Sequence, residues 1–219
     1  MENVQEGPMG RNKERDAREQ AARMKQIAQT AFQVYAERTI DAVTFDHIAE
    51  ACGKGVASIY RHYPNKTALV LAASTVAWEE YLAENSTRFQ PENSTGAQRL
   101  AFFLDSFLDL YRNHKDLLRF NQFFNVYVQS ANVSPELLQP YMDVIRGLIG
   151  RLQAMYAVGR VDGTLRTDIP EQEMISALLH LMLAAVTRYA VGLVYNNGSD
   201  PEEELILLRD MLLTRFVVG

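Results

Sequence analysis

The sequence predicts an all-α protein of about nine helices, divided into an N-terminal three-helix domain and a larger C-terminal helical domain. Three observations carry this. Apolar residues recur every three or four positions along most of the 219 residues, the spacing of one helix face. No stretch alternates apolar and polar residues at the period of a strand, and no segment repeats another. Helix-start signals also recur, with a cap residue followed by proline at Ser134-Pro135-Glu136 and Asp200-Pro201-Glu202.

Residues 1–10 read as a disordered lead. From about Asp16, Met24, Ile27, Ala28, Ala31, Phe32 and Tyr35 line one face of a first helix that stops between Glu37 and Ile40. Thr44 is placed to cap a short second helix with Phe45, Ile48, Ala49 and Cys52 inward. Gly53 stands where a left-handed residue ends a helix. A third helix runs from about Gly55 to His62 or Tyr63, Pro64 interrupts it, and Lys66 begins a long fourth helix through Trp78 and Tyr81. Beyond Pro91 the helices lengthen, to about 95–112, 115–130 and Ser134 to Gly159. GRVDGTLRTDIP is the one long loop. A helix from Asp168–Pro170 to about Tyr195 and a last one from Asp200 complete the chain.

Hydrophobic residues make up 47% and charged residues 22%, a globular composition, and the formal net charge is -5. That charge is unevenly spread. Residues 11–66 hold ten Lys/Arg against seven Asp/Glu, and residues 67–219 hold twelve against eighteen. The sign is that of a basic reading head on an acidic body. A single cysteine, Cys52, excludes an internal disulfide and fits a reducing cytosol, so the expected location is cytoplasmic. The N-terminal stretch has no apolar core and does not read as a secretory signal. Residues 177–195 approach the length of a membrane span, but His180 and Arg188 interrupt them, and a buried soluble helix is expected instead. His47, His62, His114 and His180 show no metal-ligand spacing, Gly53-Lys54-Gly55 is not a phosphate loop, and no nucleophile-base set stands out. No enzyme, metal or cofactor is expected.

The most informative stretch is ACGKGVASIYRHYPNKTAL, residues 51–69. Two short helices joined by a glycine-containing turn make a helix-turn-helix, whose second helix lies in the major groove. Val56, Ala57 and Ser58 are small enough for the helix start to approach base edges, Ser58 with its hydroxyl and Ala57 against a thymine methyl. Gly55 leaves its N–H open to a phosphate. Tyr60, His62 and Lys66 fall where the helix would meet the flanking backbone. The alternative is that Tyr60, Tyr63 and Leu69 are core residues tying the third helix to the first and fourth.

These residues resemble the DNA-binding domain of the TetR family of bacterial transcriptional repressors. The family pattern of Ile-Ala, Ala-Gly-Val-Ser, Gly-Thr-Leu-Tyr, His-Phe, Lys and Leu is met, without a change of spacing, by Ile48-Ala49, Cys52-Gly53-Lys54-Gly55, Ala57-Ser58-Ile59-Tyr60, His62-Tyr63, Lys66 and Leu69. The resemblance covers residues 27–69. It implies phosphate contacts from Thr44, Tyr60, His62 and Lys66, and base contacts from Val56, Ala57, Ser58 and Arg61. Lys54 and Gly55 depart from the pattern, and Lys54 is expected to supply charge where a serine hydroxyl is missing. The basic N-terminal stretch from Arg11 to Lys25 is either a DNA-binding arm or a solvated helix face.

For the rest of the chain, the resemblance implies a homodimer that binds a palindromic operator in double-stranded DNA, and a C-terminal domain, residues 67–219, that binds a small-molecule effector. The DNA-binding domain is then residues 11–66. Trp78, Phe103, Phe107, Phe120, Phe124, Tyr127 and Tyr141 are dense enough to line a pocket for an apolar or aromatic molecule, or else to be plain core. Asn121, Asn125, His114 and His180 are candidates to orient its polar groups. Ala177, Leu181, Ala184, Ala185 and Gly192 permit close approach of a second copy across a four-helix bundle. The expected function is a repressor released from its operator by the effector. The alternative is a helical adaptor with a degenerate helix-turn-helix.

Overall fold

The computed structural model describes residues 8–85, 93–192, 198 and 200–219. Among them are nine helices: α1 (Pro8–Glu37), α2 (Phe45–Ala51), α3 (Val56–His62), α4 (Lys66–Glu84), α5 (Gly96–Asn113), α6 (Lys115–Ser130), α7 (Pro135–Val161), α8 (Glu171–Ala190) and α9 (Pro201–Phe216). The only pairing of strand type among the described residues is an isolated bridge between Leu165 and Val217. None of these helices is long and apolar enough to cross a membrane. Met174, Ile175, Leu178, Met182 and Val186 of α8 are instead buried against protein.

Two boundaries differ from the sequence reading. α1 starts at Pro8 rather than near Asp16, so residues 8–10 of the expected disordered lead are helical, while 1–7 lie outside the described residues. Ion pairs between Glu14 and Arg18, Arg15 and Glu19, and Glu19 and Arg23, each four residues apart, support this exposed extension. α8 ends at Ala190, because Gly192 turns the chain at a φ of +75°. Residues 193–195, expected to continue the helix, lie outside the described residues.

Head and body share one core. Phe32 of α1 meets Phe120 of α6 edge-on at 5.3 Å, and Tyr35 stacks on the same ring at 6.2 Å. α4 packs against α1 along its length and against α6 and α7 of the body. The expected boundary at residues 66 and 67 therefore falls in the first turn of a helix that serves both parts. There the Thr67 and Tyr127 hydroxyls share a hydrogen bond of 2.9 Å.

The body is pinned where α5 crosses α7. A side-chain carbon on Gly96 would lie 2.1 Å from the Gly159 Cα, so the two backbones touch. The chain leaving α7 then caps α5: Asp162 Oδ2 accepts from the Gly96 N–H at 2.8 Å and Thr164 Oγ1 from the Ala97 N–H at 3.0 Å. Leu165 is buried, and the Val218 N–H donates to the Thr164 carbonyl, tying in the C-terminus. Hydrogen bonds from the Thr164 hydroxyl and then the Gly96 N–H hold the Asp162 carboxyl below its ordinary value of 3.8. A depressed carboxyl stabilises the fold above that ordinary value, and the contribution disappears as pH falls through the lower, folded value. Asp162→Ala is thus expected to lower stability at neutral pH and to flatten the acid limb of a stability curve. Urea unfolding at a series of pH values checks this.

Candidate nucleic-acid interface and cavity

The turn of the helix-turn-helix is built by local bonding. Thr44 caps α2 reciprocally: its hydroxyl accepts from the His47 N–H, and His47 Nδ1 accepts from the Thr44 N–H at 3.1 Å. At the other end the Gly53 N–H donates to the Glu50 carbonyl and the Lys54 N–H to the Ala49 carbonyl, at 3.0 and 2.9 Å. With Gly53 at a φ of +62°, this is a Schellman termination. No atom lies near the missing Cβ, so the glycine is needed for its backbone alone. Gly53→Ala is expected to cost about 1–2 kcal/mol of stability, the usual cost of a left-handed non-glycine residue, measured by urea unfolding.

α3 is seven residues long and is held from below. Ile59 is fully buried, and Tyr63, at the helix end, is buried with its hydroxyl donating to the Met24 carbonyl of α1 at 2.9 Å. Burial pushes that phenol up to about 12. The outward side carries Ala57, Tyr60 and Arg61, with Val56, Ser58 and His62 half-buried at its edges. Tyr60 is 56% exposed, and its ring rests on Phe45 at 4.6 Å, which fixes its direction without covering it. Lys54 and Gly55 are exposed in the turn, and Thr44 at the start of α2. Gly55 caps α3 with no side-chain bond.

Lys66 stands in the first turn of α4, where Asn65 Oδ1 accepts from the Ala68 N–H as the cap. Its ammonium is not left facing its own helix end, because Nζ donates to the Asp41 carbonyl at 3.2 Å. Partial burial lowers its pKa, against the attraction of Asp41. All ten expected DNA-contacting residues thus lie on α3 or on the segments flanking it. The basic N-terminal stretch reads differently. Lys25 pairs with Glu80 at 2.9 Å and the arginines with their own acids, the pattern of a solvated face; the Arg11 side chain lies outside the described residues.

Within the body is a cavity of about 290 Å³, walled by α4, α5, α6, α7 and α8. Four of the seven expected pocket residues, Trp78, Phe103, Phe107 and Tyr141, line it. Phe120 and Phe124 do not. They are fully buried in the core, where Phe120 meets Tyr35 and Phe32 and Phe124 meets Tyr141 at 4.8 Å. Tyr127 is spent on the Thr67 hydrogen bond at the junction with the head. Asn121, Asn125 and His180 reach the wall, whereas His114 lies edge-on to Tyr81 at 5.1 Å, outside it. Aliphatic wall residues escaped the sequence reading, among them Val144, Ile145 and Leu148 of α7. With Tyr141 they recur at helical spacing, a signal that a search for aromatics passes over.

On the outside of the body, Leu181 and Ala184 of α8 are exposed, with Ala177 and Ala185 half-buried. Gly192 lies past the helix end, in the turn, rather than on the helix face. α9 adds Leu207 and Met211, 62% and 60% exposed, which a search for small residues did not pick out. Tyr189 of α8 and Glu204 of α9 are hydrogen-bonded, so the two helices present these side chains as one unit.

Residues 27–73 match the family profile described as bacterial regulatory proteins, tetR family. No curated protein matches the sequence. Among solved structures, the fatty acid degradation regulator FadR from Bacillus halodurans is 17% identical, with a TM-score of 0.69 over 95% of this chain and 96% of that one. A putative transcriptional regulator from Saccharomonospora viridis, solved in complex with choline, is 20% identical, with a TM-score of 0.68 over 91% and 100%. AibR, solved with isovaleryl coenzyme A and operator DNA, is 16% identical, with a TM-score of 0.63 over 88% and 97%. Over most of its length the chain shares the fold of these structures.

Proposed function

We propose, from the premise that residues 27–73 are a DNA-binding domain of the tetR family of bacterial regulatory proteins, that this chain is a sequence-specific transcriptional regulator. It acts in the cytoplasm as a homodimer on a palindromic operator, without enzymic activity, and represses until a small molecule enters the body. The observation that carries the reading is the outward face of α3. Ala57, Tyr60 and Arg61 are exposed on a short helix that Ile59 and Tyr63 hold rigidly from beneath. This is the arrangement that base-edge readout requires, with Thr44, His62 and Lys66 around it to grip phosphates.

A dimer follows from the exposed apolar side chains of α8 and α9, since a palindrome is read by two heads related by a twofold axis. The 290 Å³ cavity is the effector site in this reading. A molecule that fits only the dimer with its heads splayed lowers operator affinity by its differential affinity for that state. AibR, of similar fold, was solved with both an acyl coenzyme A and operator DNA, which supports a two-ligand mechanism.

The test is selection of bound sequences from a random DNA pool at near-physiological salt. A palindrome is the expected product. Lys66→Ala is expected to weaken binding to every sequence and to reduce the salt slope by about 1, whereas Arg61→Ala changes preference at one base pair by ~1–3 kcal/mol. A pool without enrichment, from a protein with intact helicity, would overturn the reading in favour of a protein-binding adaptor.

A further inference from the structure

We infer that residues 135–149, the N-terminal half of α7, are a lid on the cavity that opens about Gly147 and Gly150 to admit a ligand, while residues 151–161 stay fastened to the body. Its opening is a property of the helix; its role as an entrance rests on the cavity being the effector site proposed above.

The two halves of α7 are held very differently. Leu152, Met155, Tyr156 and Gly159 are buried, and all four lie in the second half. There Gly159 touches the Gly96 backbone, and the chain just beyond caps α5 through Asp162 and Thr164. In the first half no residue from 135 to 150 is buried. Yet this half supplies Tyr141, Met142, Val144, Ile145 and Leu148 to the cavity wall. On α4 and α5 the case is opposite, because Trp78, Tyr81, Phe103 and Phe107 are core as well as wall. Met142 lines the cavity and is 41% exposed, so the wall reaches solvent at the lid.

Polar ties to other helices are missing as well. The Asp143 carboxylate accepts from Gln139 and pairs with Arg146, both on α7 itself. Among the described residues, no side chain of 135–149 makes a hydrogen bond or ion pair to another helix. The contact of the Tyr141 ring with Phe124, at 4.8 Å, is apolar.

The backbone is weakened on both sides of this wall. Pro140, inside the helix, has no N–H to donate to the Glu136 carbonyl, and Ser134 caps the helix start without a side-chain bond. Beyond the wall stand Gly147 and Gly150. A Cβ on either would meet nothing within 4 Å, so neither packs against anything that excludes alanine. Relative to alanine, each shifts a helix roughly fivefold towards unwinding. A segment with few buried side chains and a weakened backbone opens ahead of the rest of the fold. Lids that open in this way control access to enclosed sites.

Hydrogen exchange of the full-length protein, read by mass spectrometry, tests the lid. Amides of residues 141–149 are expected to exchange about tenfold faster or more than those of 152–161. In the double variant Gly147→Ala, Gly150→Ala they are expected to slow by about tenfold or more, with 152–161 unchanged. Equal protection along α7, or exchange indifferent to the two alanines, overturns the lid. Entry is tested by stopped-flow mixing with 2-acetonaphthone, a molecule of about two fused rings suited to a cavity of about 290 Å³. Quenching of Trp78, the only tryptophan and a wall residue, is the readout. In the double variant, association and dissociation are expected to slow by one common factor of about five or more, because a gate acts on both directions alike; Kd stays within about twofold. Unchanged rates in a variant whose exchange has slowed overturn the entrance. If 2-acetonaphthone does not bind, the effector assignment falls and the entrance with it, while exchange still decides whether the lid opens.

Discussion

Gly96→Ala is expected to destabilise the protein by about 3 kcal/mol or more, the upper end for overpacked positions. An added methyl would sit 2.1 Å from the Gly159 Cα and 2.4 Å from its nitrogen. These are backbone atoms in the middle of a helix turn, and no side-chain rotation relieves the overlap. The crossing of α5 and α7 has to open, which also pulls the Gly96 and Ala97 N–H groups away from Asp162 and Thr164. Both α5 and α7 wall the cavity, so a folded remnant would have lost the shape of that cavity as well. Thermal and urea unfolding measure the loss. A change below about 1 kcal/mol would show that the helices separate cheaply, contrary to the packing described.

The second large effect is expected at the outer face. The pair Leu181→Glu and Leu207→Glu places like charges among exposed apolar side chains on α8 and α9 without touching the buried row Met174, Leu178, Met182 and Leu205. The fold is expected to survive and the dimer to dissociate, read by sedimentation. A single head keeps one half-site of contacts, and operator affinity is then expected to fall about a thousandfold, towards non-specific binding. Retained dimerisation with unchanged affinity would move the interface elsewhere.

Most of the fold was legible because its boundaries are set by single residues whose chemistry is local. Thr44, Gly53, Asn65 and Asp200 each satisfy backbone groups at a helix end, and Thr44, Gly53 and Asp200 announce this by type and position. What was hidden depends on partners far away in the chain. Phe107 and Phe124 look alike as sequence, each an aromatic at helical spacing, yet Phe107 walls a cavity and Phe124 packs against Tyr141 in solid core. The distinction is made by which helix lies opposite, and periodicity is silent on that. Likewise Lys66 reads as a cation at the wrong end of a helix until the loop carrying the Asp41 carbonyl is brought beside it. The close approach of Gly96 to Gly159 links positions 63 residues apart, and each alone passes for an ordinary glycine.

The slender support of α3 has a consequence for how such a chain changes over generations. Ile59 and Tyr63 secure the helix, and neither faces outward, so Ala57, Tyr60 and Arg61 can be exchanged with little toll on folding. The cavity has no such freedom, because Trp78, Phe103 and Phe107 are walls and core at once. On the function proposed above, descendants of this sequence can therefore acquire new target genes by single substitutions, whereas adopting a new chemical signal demands compensated, many-residue repacking. Rewiring outputs is mutationally cheap in this architecture, and rewiring inputs is dear.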